Sequence, residues 1–447
     1  MNKTLIFALI GLVSLVACAN YSVLVAGSKG YENYRHQADI CHAYQTLLKR
    51  GFAPENIIVF LYNDVAFDKQ NPFQGQLFNK PFGDDVYAGC KIDYQGEDVT
   101  PKNYMSVLTG NKSDVANIGT GRVLESTEND NVFLYFSDHG APGLIGFPSS
   151  YMYANELIST FQIMKNQKMY NKLVYYLETC ESGSMFVNLP TDLNIYAVSA
   201  ANPSQSSYAA YCGINAFAKG KLIGSCLGDL FSVNWMEEVD SAKDIENLTL
   251  QQQFDFIAKK TKLSQVMQWG DLSFTSEPVS DFLSSTTSSK KSLKASLLSF
   301  FNFSSPSMRK VKGETVIEHE EEEGIHNHDS LVNNRKAKIS TLLHLYITSP
   351  STQNFEKLNL ELHNDQKFQN YFDQIQTRFG LQNADLESAG SQNGTNFTCY
   401  KILVDTFEMK CGKTPESQLS SLSYLYQFCQ RSFKKEPNYN EMLENIC

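Results

Sequence analysis

The 447-residue sequence lacks an excess of basic residues, since 38 Lys and Arg face 48 Asp and Glu and give a formal net charge of −10. Nucleic-acid binding needs a basic surface, so nucleic acid is not an expected partner. Beyond the amino terminus the sequence also lacks an apolar run of the roughly 20 residues that span a bilayer. We therefore expect no membrane span. Internal repeats are absent as well.

The amino terminus has the pattern of a secretory signal peptide. Lys3 precedes the apolar run Leu5–Val16, and Ala17-Cys18-Ala19 fits a cleavage site of small residues. We expect residues 1–19 to be removed and the mature chain to be soluble within the secretory pathway, where disulfides and Asn-linked glycans form. Glycosylation sequons occur at Asn111, Asn247, Asn302, Asn393 and Asn396.

Alternating strand and helix patterns predict an α/β domain over residues 20–275. Apolar runs indicate strands at Tyr21–Ala26, Asn56–Tyr62, Asn131–Phe136, Lys172–Leu177 and Ile195–Val198. A helical pattern covers His36–Lys49, and Thr100-Pro101 begins another helix with an N-cap hydroxyl and a proline in its first turn. This order predicts a mostly parallel sheet covered on both faces by helices.

The composition changes from about Asp271 to Lys338, where a Ser-rich stretch precedes a strongly charged one. This predicts a solvated linker, assigned to residues 276–338. Residues 339–447 have helical periodicity and predict a small all-α domain. If Cys399 and Cys411 share one helix, they lie roughly 18 Å apart at ~1.5 Å per residue. A disulfide cannot span that distance, so each must pair with Cys429 or Cys447.

The apolar run from Lys172 ends in a polar stretch that contains Cys180. In open parallel sheets the chemistry lies beyond the carboxyl ends of the strands, so Cys180 is a candidate nucleophile, with a buried structural thiol as the alternative. After removal of Cys18 the cysteine count is odd, which indicates a free thiol in a secreted protein. Cys41 and Cys90 are the other cysteines without an assigned partner.

A thiol nucleophile needs a neighbouring base, and three histidines precede Cys180 in the mature chain. His36 and His42 lie on the first predicted helix. His139 instead follows a predicted strand in Asp138-His139-Gly140, so imidazole and thiol are expected at the same sheet edge. The Gly140 N–H could serve as an oxyanion donor. Zinc is the competing interpretation, but thiols at zinc-type spacing are missing here.

Several motifs, taken together and in order, resemble the legumain family of cysteine endopeptidases, which are also called asparaginyl endopeptidases or vacuolar processing enzymes. They are Gly27-Ser-Lys-Gly-Tyr-Glu-Asn33-Tyr-Arg35-His36-Gln-Ala-Asp39, Asp138-His139-Gly140, Glu178-Thr-Cys180-Glu-Ser-Gly-Ser-Met185, Ala200-Ala-Asn-Pro203, Ser206-Ser207-Tyr208, Leu227-Gly-Asp229, Ser232–Met236 and Ser264–Gln268. The resemblance implies a caspase-like α/β fold followed by a helical inhibitory prodomain. It covers nearly the whole predicted α/β domain.

The resemblance implies cleavage after Asn, and after Asp at lower pH. It makes Cys180 the nucleophile, His139 the general base and acid, and Asn33 the residue that orients His139, with Gly140 and the Cys180 N–H as the oxyanion hole. The implied specificity pocket consists of Arg35, His36, Glu178, Ser206 and Asp229. An Asn side chain offers one acceptor and two donors, which a cation on one side and carboxyl groups on the other would match.

The resemblance also implies the disulfides Cys399–Cys429, Cys411–Cys447 and Cys212–Cys226, and it implies no cofactor and no metal. Implied partners are proteins and peptides with exposed Asn, the chain's own prodomain as an inhibitor, and cystatin-type inhibitors. A lysosome or vacuole, or secretion, is the expected destination. Thr179 departs from the Ala common in the family, and the Ser-rich insertion does not match its shorter activation segment.

We expect a zymogen that is activated by acid and by cleavage after Asn333, Asn334 or Asn327, because these residues have exposed, charged surroundings in the predicted linker. Three other functions stay open at this point. The same pocket could join peptides instead of hydrolysing them. The chain could resemble the catalytic subunit of the transamidase that attaches GPI anchors, although that subunit usually has a carboxy-terminal membrane helix. It could also be a catalytically silent binding homologue, although both Cys180 and His139 are retained.

Overall fold

The computed structural model describes residues 19–285, 330–381, 395–431 and 438–447. The segment before Ala19, Asn327 and the sequons at Asn302 and Asn393 lie outside these residues. Within the described ranges, we find no helix of the length and apolar character needed to cross a membrane.

A seven-stranded sheet forms the centre of the amino-terminal part, in the order β14-β9-β8-β4-β1-β2-β3. Its neighbouring strands are parallel, except that β14 pairs antiparallel with β9 at one edge. The strands of the described residues are β1 (Asn20–Ala26), β2 (Ile57–Leu61), β3 (Tyr94–Gln95), β4 (Asn131–Ser137), β5 (Gly140–Ala141), β6 (Leu144–Phe147), β7 (Ser150–Tyr153), β8 (Lys172–Glu178), β9 (Ile195–Ser199), β10 (Tyr208–Ala210), β11 (Phe217–Ala218), β12 (Lys221–Leu222), β13 (Gly228–Asp229), β14 (Met267–Gly270) and β15 (Val332–Asn333).

Helices cover both faces of this sheet and form the carboxy-terminal part. They are α1 (Tyr34–Lys49), α2 (Pro101–Leu108), α3 (Ala154–Asn166), α4 (Leu230–Ser241), α5 (Leu250–Lys260), α6 (Ser280–Leu283), α7 (Ala337–Thr348), α8 (Thr352–Phe379), α9 (Phe397–Cys411), α10 (Ser423–Phe428) and α11 (Tyr439–Met442). The predicted cap of α2 is present, since Thr100 Oγ1 accepts from the Asn103 N–H at 3.2 Å.

Two apolar cores lie on opposite faces of the sheet because successive side chains of a strand point to opposite sides. In β4, Phe133 and Tyr135 belong to the core under α1 and α4, whereas Val132 and Leu134 belong to the core under α2 and α3. Burial on both faces explains the continuous apolar runs, as expected for parallel strands. The predicted α/β class with a mostly parallel sheet is confirmed.

The predicted solvated linker is wrong at both ends. Val279 and Phe282 are buried in the core beneath α1 and α4, so the folded part continues beyond residue 275. At the other end, Ser330 is 2% exposed and β15 pairs antiparallel with β10. Local composition predicted that these residues are exposed to solvent, but residues distant in the sequence bury them.

The carboxy-terminal helices pack around two disulfides, Cys399–Cys429 and Cys411–Cys447. Cys399 and Cys411 both lie on α9, which satisfies the condition under which the sequence excluded their pairing. A third disulfide, Cys212–Cys226, closes the segment between β10 and β13. These are the pairs that the resemblance implied.

Candidate active site

His139 and Cys180 lie side by side at the carboxyl edge of the sheet because their strands are parallel and in register. Ser137 of β4 lies opposite Glu178 of β8, and each candidate residue follows its strand by the same short step. Both side chains are buried, with exposures of 4% for His139 and 1% for Cys180. The sequence-predicted pair is thus brought together at the edge where open parallel sheets place their chemistry.

A sharp turn after β8 presents Cys180. Glu181 has a φ of +48°, which lies in the left-handed region that non-glycine residues seldom adopt. Gly140 packs directly on this turn, since a Cβ on Gly140 would lie 2.6 Å from Cys180 O and 2.7 Å from Thr179 Oγ1. Only glycine fits there, so the backbone of residue 140 stays against the thiol-bearing loop.

The thiol of Cys180 contacts Ser207. The Ser207 N–H donates to Cys180 Sγ at 3.4 Å, and Ser207 Oγ lies 3.8 Å from the same sulfur. Burial raises the pKa of the Cys180 thiol, an effect that the Arg335 charge opposes and the Glu181 charge strengthens. The thiol is therefore protonated near neutral pH in this state and is a poor nucleophile.

His139 is held by Asn33 and by Glu416 of the helical region. Its Nε2 lies 2.9 Å from Asn33 Oδ1 and 3.4 Å from Glu416 Oε2. Its other nitrogen, Nδ1, is buried without a hydrogen-bond partner among the described residues. Burial alone would raise the pKa of Glu416, but the His139 charge and hydrogen bonds from His139 and Asn33 lower it well below its ordinary range.

Arg35 is the cation of a buried polar pocket beside this pair. Its Nε donates to Asp229 Oδ1 at 3.0 Å, and its Nη1 donates to Glu32 O at 3.1 Å and Asn33 Oδ1 at 3.3 Å. The first turn of α1 supplies Arg35, and β13 supplies Asp229. Both side chains have 0% exposure, which makes their ion pair fully desolvated.

Two further buried carboxyl groups, those of Glu178 and Asp39, lie close enough to Asp229 to be affected by its charge. Glu178 Oε2 accepts from the N–H and the Oγ of Ser232, both at 3.0 Å. Burial and then the Asp229 charge raise the pKa of Glu178 well above its ordinary value. The same two causes raise the pKa of Asp39, which accepts from Asn79 Nδ2 at 2.7 Å. Burial and the mutual repulsion of these carboxylates therefore make their ionisation less favourable than in water.

His36 and Asp138 form the wall between the pocket and His139. His36 Nδ1 lies 2.7 Å from Ser28 Oγ and 3.4 Å from Asp138 Oδ1. Burial and then the Arg35 charge lower the pKa of His36, so this imidazole is neutral. Burial raises the pKa of Asp138 to about 7.

His36, Asp138 and His139 are also the one group of described residues whose ligand atoms could meet around a metal ion, with those atoms within 4.8 Å of one another. Two of the three already make other contacts, His36 with Ser28 and His139 with Asn33.

An Asn side chain of the chain itself occupies the pocket. Asn334 Oδ1 accepts from Arg35 Nε at 3.0 Å, and Asn334 Nδ2 donates to Ser207 Oγ at 2.8 Å. The backbone N–H of Asn334 donates to Ser207 O at 3.0 Å, which continues the β15–β10 pairing toward Cys180. Asn334 is 2% exposed. The expectation that it has exposed surroundings is therefore wrong, because the pocket buries it.

Arg335 and the helical region cover the remaining side of the site. The Arg335 guanidinium contacts Glu181 and Gly140 O, and lies 3.4 Å from Glu416 O. Beyond it, Tyr151 Oη donates to Glu408 Oε1 at 2.7 Å. Burial raises the pKa of Glu181 to about 7, although the Arg335 charge opposes the shift.

Of the predicted site residues, the structure gathers Cys180, His139, Gly140 and Asn33 at the sheet edge. It places Arg35, His36, Glu178 and Asp229 around the neighbouring pocket. At the predicted serine position it is Ser207, not the half-buried Ser206, that contacts Asn334 and Cys180. Sequence reasoning also missed Asp39, Asp138 and Ser232, although all three lie inside the recognised motifs. Arg335 and Glu416 carried no sequence signal.

Comparisons with known proteins identify the family of this chain. The model of the peptidase C13 family matches residues 20–286. The chain belongs to the peptidase C13 family. It is thus a cysteine endopeptidase of the legumain type, with its buried thiol and imidazole at one sheet edge.

Relatives of this C13 peptidase come from animals and plants. The hemoglobinase of Schistosoma japonicum is 36% identical, over 97% of each chain. The legumain of Mus musculus is 46% identical over 263 residues, which are 59% of each chain. The vacuolar-processing enzyme of Citrus sinensis is 36% identical over 93% of this chain and 82% of its own.

Among solved structures, caspase-1 from Spodoptera frugiperda aligns with 59% of this chain and 92% of its own, at a TM-score of 0.35 and 9% identity. A TM-score this low does not support an argument from that structure. The fold assignment of this C13 peptidase rests on its own sheet order.

Proposed function

We propose that this C13 peptidase cleaves peptide bonds after Asn. The observation that supports the proposal is Asn334, whose amide oxygen meets Arg35 Nε while its amide nitrogen meets Ser207 Oγ. A pocket with a cation on one side and acceptors on the other matches both ends of an Asn amide. A protonated Asp offers the same pattern, whereas an ionised Asp would face Glu178 and Asp229. Cleavage after Asp is therefore expected at lower pH.

In the proposed mechanism Cys180 attacks the backbone carbonyl carbon of the bound Asn, and the bond to the following nitrogen breaks. His139 takes the thiol proton and later gives it to the leaving amine, and its unpartnered Nδ1 is the atom available for this transfer. Water, which gives a proton to His139, then cleaves the thioester and releases the Asn carboxylate, and the proton returns to the Cys180 sulfur. Asn33 fixes the orientation of the His139 imidazole through its contact with Nε2. The N–H groups of Gly140 and Cys180 are proposed to stabilise the negative oxygen of the tetrahedral intermediate.

We further propose that residues 339–447 are an inhibitory prodomain, so that this chain is the zymogen. The supporting contacts are those of Glu416 with His139 and Asn33, which tie the candidate base to the helical region. The raised pKa of the Cys180 thiol acts in the same direction. The relatives include a vacuolar-processing enzyme and legumains, and a lysosome or vacuole is the proposed destination, reached through the secretory pathway.

The proposed activation cleavage follows Asn334. Of the three predicted positions, Asn334 has its side chain in the pocket, whereas Asn333 Oδ1 accepts from the Arg335 N–H. Asn327 lies outside the described residues. A cut after Asn334 would separate it from Arg335 and release the helical region as a fragment that begins at residue 335.

Incubation of the purified chain at about pH 4.5, close to the ordinary pKa of Glu, tests this proposal. Amino-terminal sequencing of the released fragment should give Arg335 as the first residue. The fragment should be absent from Cys180→Ala and strongly reduced in Asn334→Gln. A fragment that begins after a Lys or a Ser, and that still requires Cys180, would contradict the placement.

A second assay separates the activity from the self-cleavage. The Cys180 thiol of the activated protein should react with an electrophile carried on an Asn-containing peptide. The reaction should be lost in His139→Ala and weak with a Gln-containing analogue. Equal labelling by both analogues would contradict Asn specificity while leaving the C13 assignment intact.

A further inference from the structure

One side of α1 carries three side chains, spaced four residues apart, that face the same loop. We call residues 62–93, between β2 and β3, the bracing loop. Gln37 Nε2 donates to Asp64 Oδ1 at 2.6 Å, and Gln45 Nε2 donates to Val86 O at 3.0 Å and Ala88 O at 2.9 Å. Residues four apart on a helix lie one above the other. Position 41, halfway between these glutamines, must therefore face the bracing loop too.

Cys41 occupies that position, and Cys90 of the bracing loop lies opposite it. Their sulfur atoms are 2.8 Å apart. A covalent S–S bond measures ~2.05 Å, so small side-chain rotations would bring the two sulfurs to bonding distance. The glutamine contacts on either side already fix the backbone of the loop against α1. Cys41 is buried and Cys90 is half-buried.

We propose that Cys41 and Cys90 form a fourth disulfide bond in the mature protein. The chain already contains three disulfides and therefore matures where thiols are oxidised. The proposed bond leaves Cys180 as the one unpaired thiol of residues 19–447. The proposal does not depend on the Asn specificity or on the activation site.

The oxidant is a disulfide of the secretory pathway, either glutathione disulfide or the disulfide of an oxidoreductase. The half-buried Cys90, as thiolate, attacks one oxidant sulfur, and the other leaves as a thiolate that takes up a proton. Cys41 then loses its proton and attacks the Cys90 sulfur, which releases the second oxidant thiol. Two electrons and two protons pass from the cysteine pair to the oxidant.

The bond would connect the bracing loop to the helix that supplies the pocket cation. The loop contacts the pocket framework at two further points, where Asn79 Nδ2 donates to Asp39 Oδ1 at 2.7 Å and Asp64 Oδ2 accepts from the Gly30 N–H at 2.8 Å. Gly30 lies just before Asn33, and Asp39 follows Arg35 on α1. A disulfide between the bracing loop and α1 would thus help to hold Gly30 and Asp39, which flank Asn33 and Arg35, in position. It would also remove a thiol that could exchange with Cys180.

Peptide mapping of the full chain from a secretory host tests the bond directly. The protein is denatured in alkylating reagent without reductant and then digested. The expected product is one peptide pair that joins Cys41 to Cys90, lighter by two hydrogen atoms than the sum of the two thiol peptides. Cys180 should be the alkylated cysteine. Alkylation of both Cys41 and Cys90, or a disulfide between Cys90 and Cys180, would overturn the proposal.

The Cys90→Ser variant measures what the bond contributes. Because Cys90 is half-buried, serine should fold there, and we expect the thermal midpoint to fall by at least about 5 °C. The control is Ala88→Ser, an exposed change in the same loop that keeps both cysteines. Its midpoint should stay within about 1 °C of the wild type. Equal midpoints for wild type and Cys90→Ser would contradict the bracing role.

Discussion

Glu416 of the helical region accepts a hydrogen bond from Asn33 Nδ2 at 2.6 Å, although the two residues lie 383 positions apart in the sequence. Its second oxygen lies 3.4 Å from His139 Nε2. One carboxylate therefore contacts both the candidate base and the residue that orients it. The covering of this site is thus electrostatic as well as steric.

Replacement of Glu416 by Gln should loosen the cover at neutral pH. Gln can still accept from Asn33, but it removes the negative charge beside His139, and hydrogen bonds to charged groups contribute ~1.5–3 kcal/mol. We expect Cys180 of the intact chain to react with a thiol-directed electrophile about 10-fold faster in Glu416→Gln. Glu444→Gln, an exposed carboxylate of the same region, is the control and should react at the wild-type rate.

The pH dependence of that difference follows from the lowered pKa of Glu416. A carboxyl group with a lowered pKa in the docked state stabilises docking fully above its ordinary pKa of ~4.3, and loses this contribution as pH falls toward the lowered value. The ratio of the Cys180 labelling rate in Glu416→Gln to that in the wild type should be constant from pH ~7 to ~5. This ratio should fall toward 1 below pH ~4.3. A ratio that rises on acidification would contradict this role.

Gly140→Ala should disable the activated enzyme without unfolding it. A Cβ at this position would lie 2.6 Å from Cys180 O, so the backbone must move and displace a proposed oxyanion donor. Loss of such a donor costs ~100- to 1,000-fold in kcat. Thr179→Ala, which removes the neighbouring hydroxyl and methyl groups but leaves the Cys180 carbonyl in place, should stay within about 3-fold of the wild type. The double variant should not recover, because Cys180 O remains in place.

Arg35→Lys should reduce kcat/KM for Asn peptides by ~100-fold. The guanidinium contacts Asp229, Glu32 and Asn33 at once through a planar fork, which an ammonium group cannot reproduce. Arg50→Lys, at the other end of α1, is the matched control, since Arg50 contacts backbone carbonyl oxygens outside the site. If the two variants lose activity equally, the cause would be the helix and not the pocket.

Sequence patterns were most informative for strands and helices whose own residues show a clear apolar periodicity. The apolar runs of β4 and β8 predicted parallel strands, and their shared direction placed His139 beside Cys180. Motif resemblance added Arg35 and Asp229, which meet only in the folded protein. It did not distinguish Ser206 from Ser207, because the two adjacent residues just before β10 are of the same type and differ only in what their side chains contact.

Local sequence patterns did not predict which residues cover the site. Asn334 and Arg335 stand in a polar stretch that resembles a linker, and their burial depends on Arg35, Ser207 and Glu181, which lie more than 100 positions away. Polar residues become buried only when such partners satisfy them. Composition indicates that burial of these polar residues is unfavourable, but it does not identify the sequence-distant residues that bind them.

The pairing of β15 with β10 is intramolecular, and this determines what can displace it. Residues 332–334 reach the Ser207–Tyr208 edge from the same chain, so their effective local concentration is set by the connecting segment and can reach roughly the millimolar range. A free peptide of equal intrinsic affinity would need a similar concentration to compete. A cut after Asn334 leaves residues 332–334 joined to the sheet domain through that same connecting segment, so the new carboxyl end returns to the pocket at an unchanged effective concentration and competes with substrate.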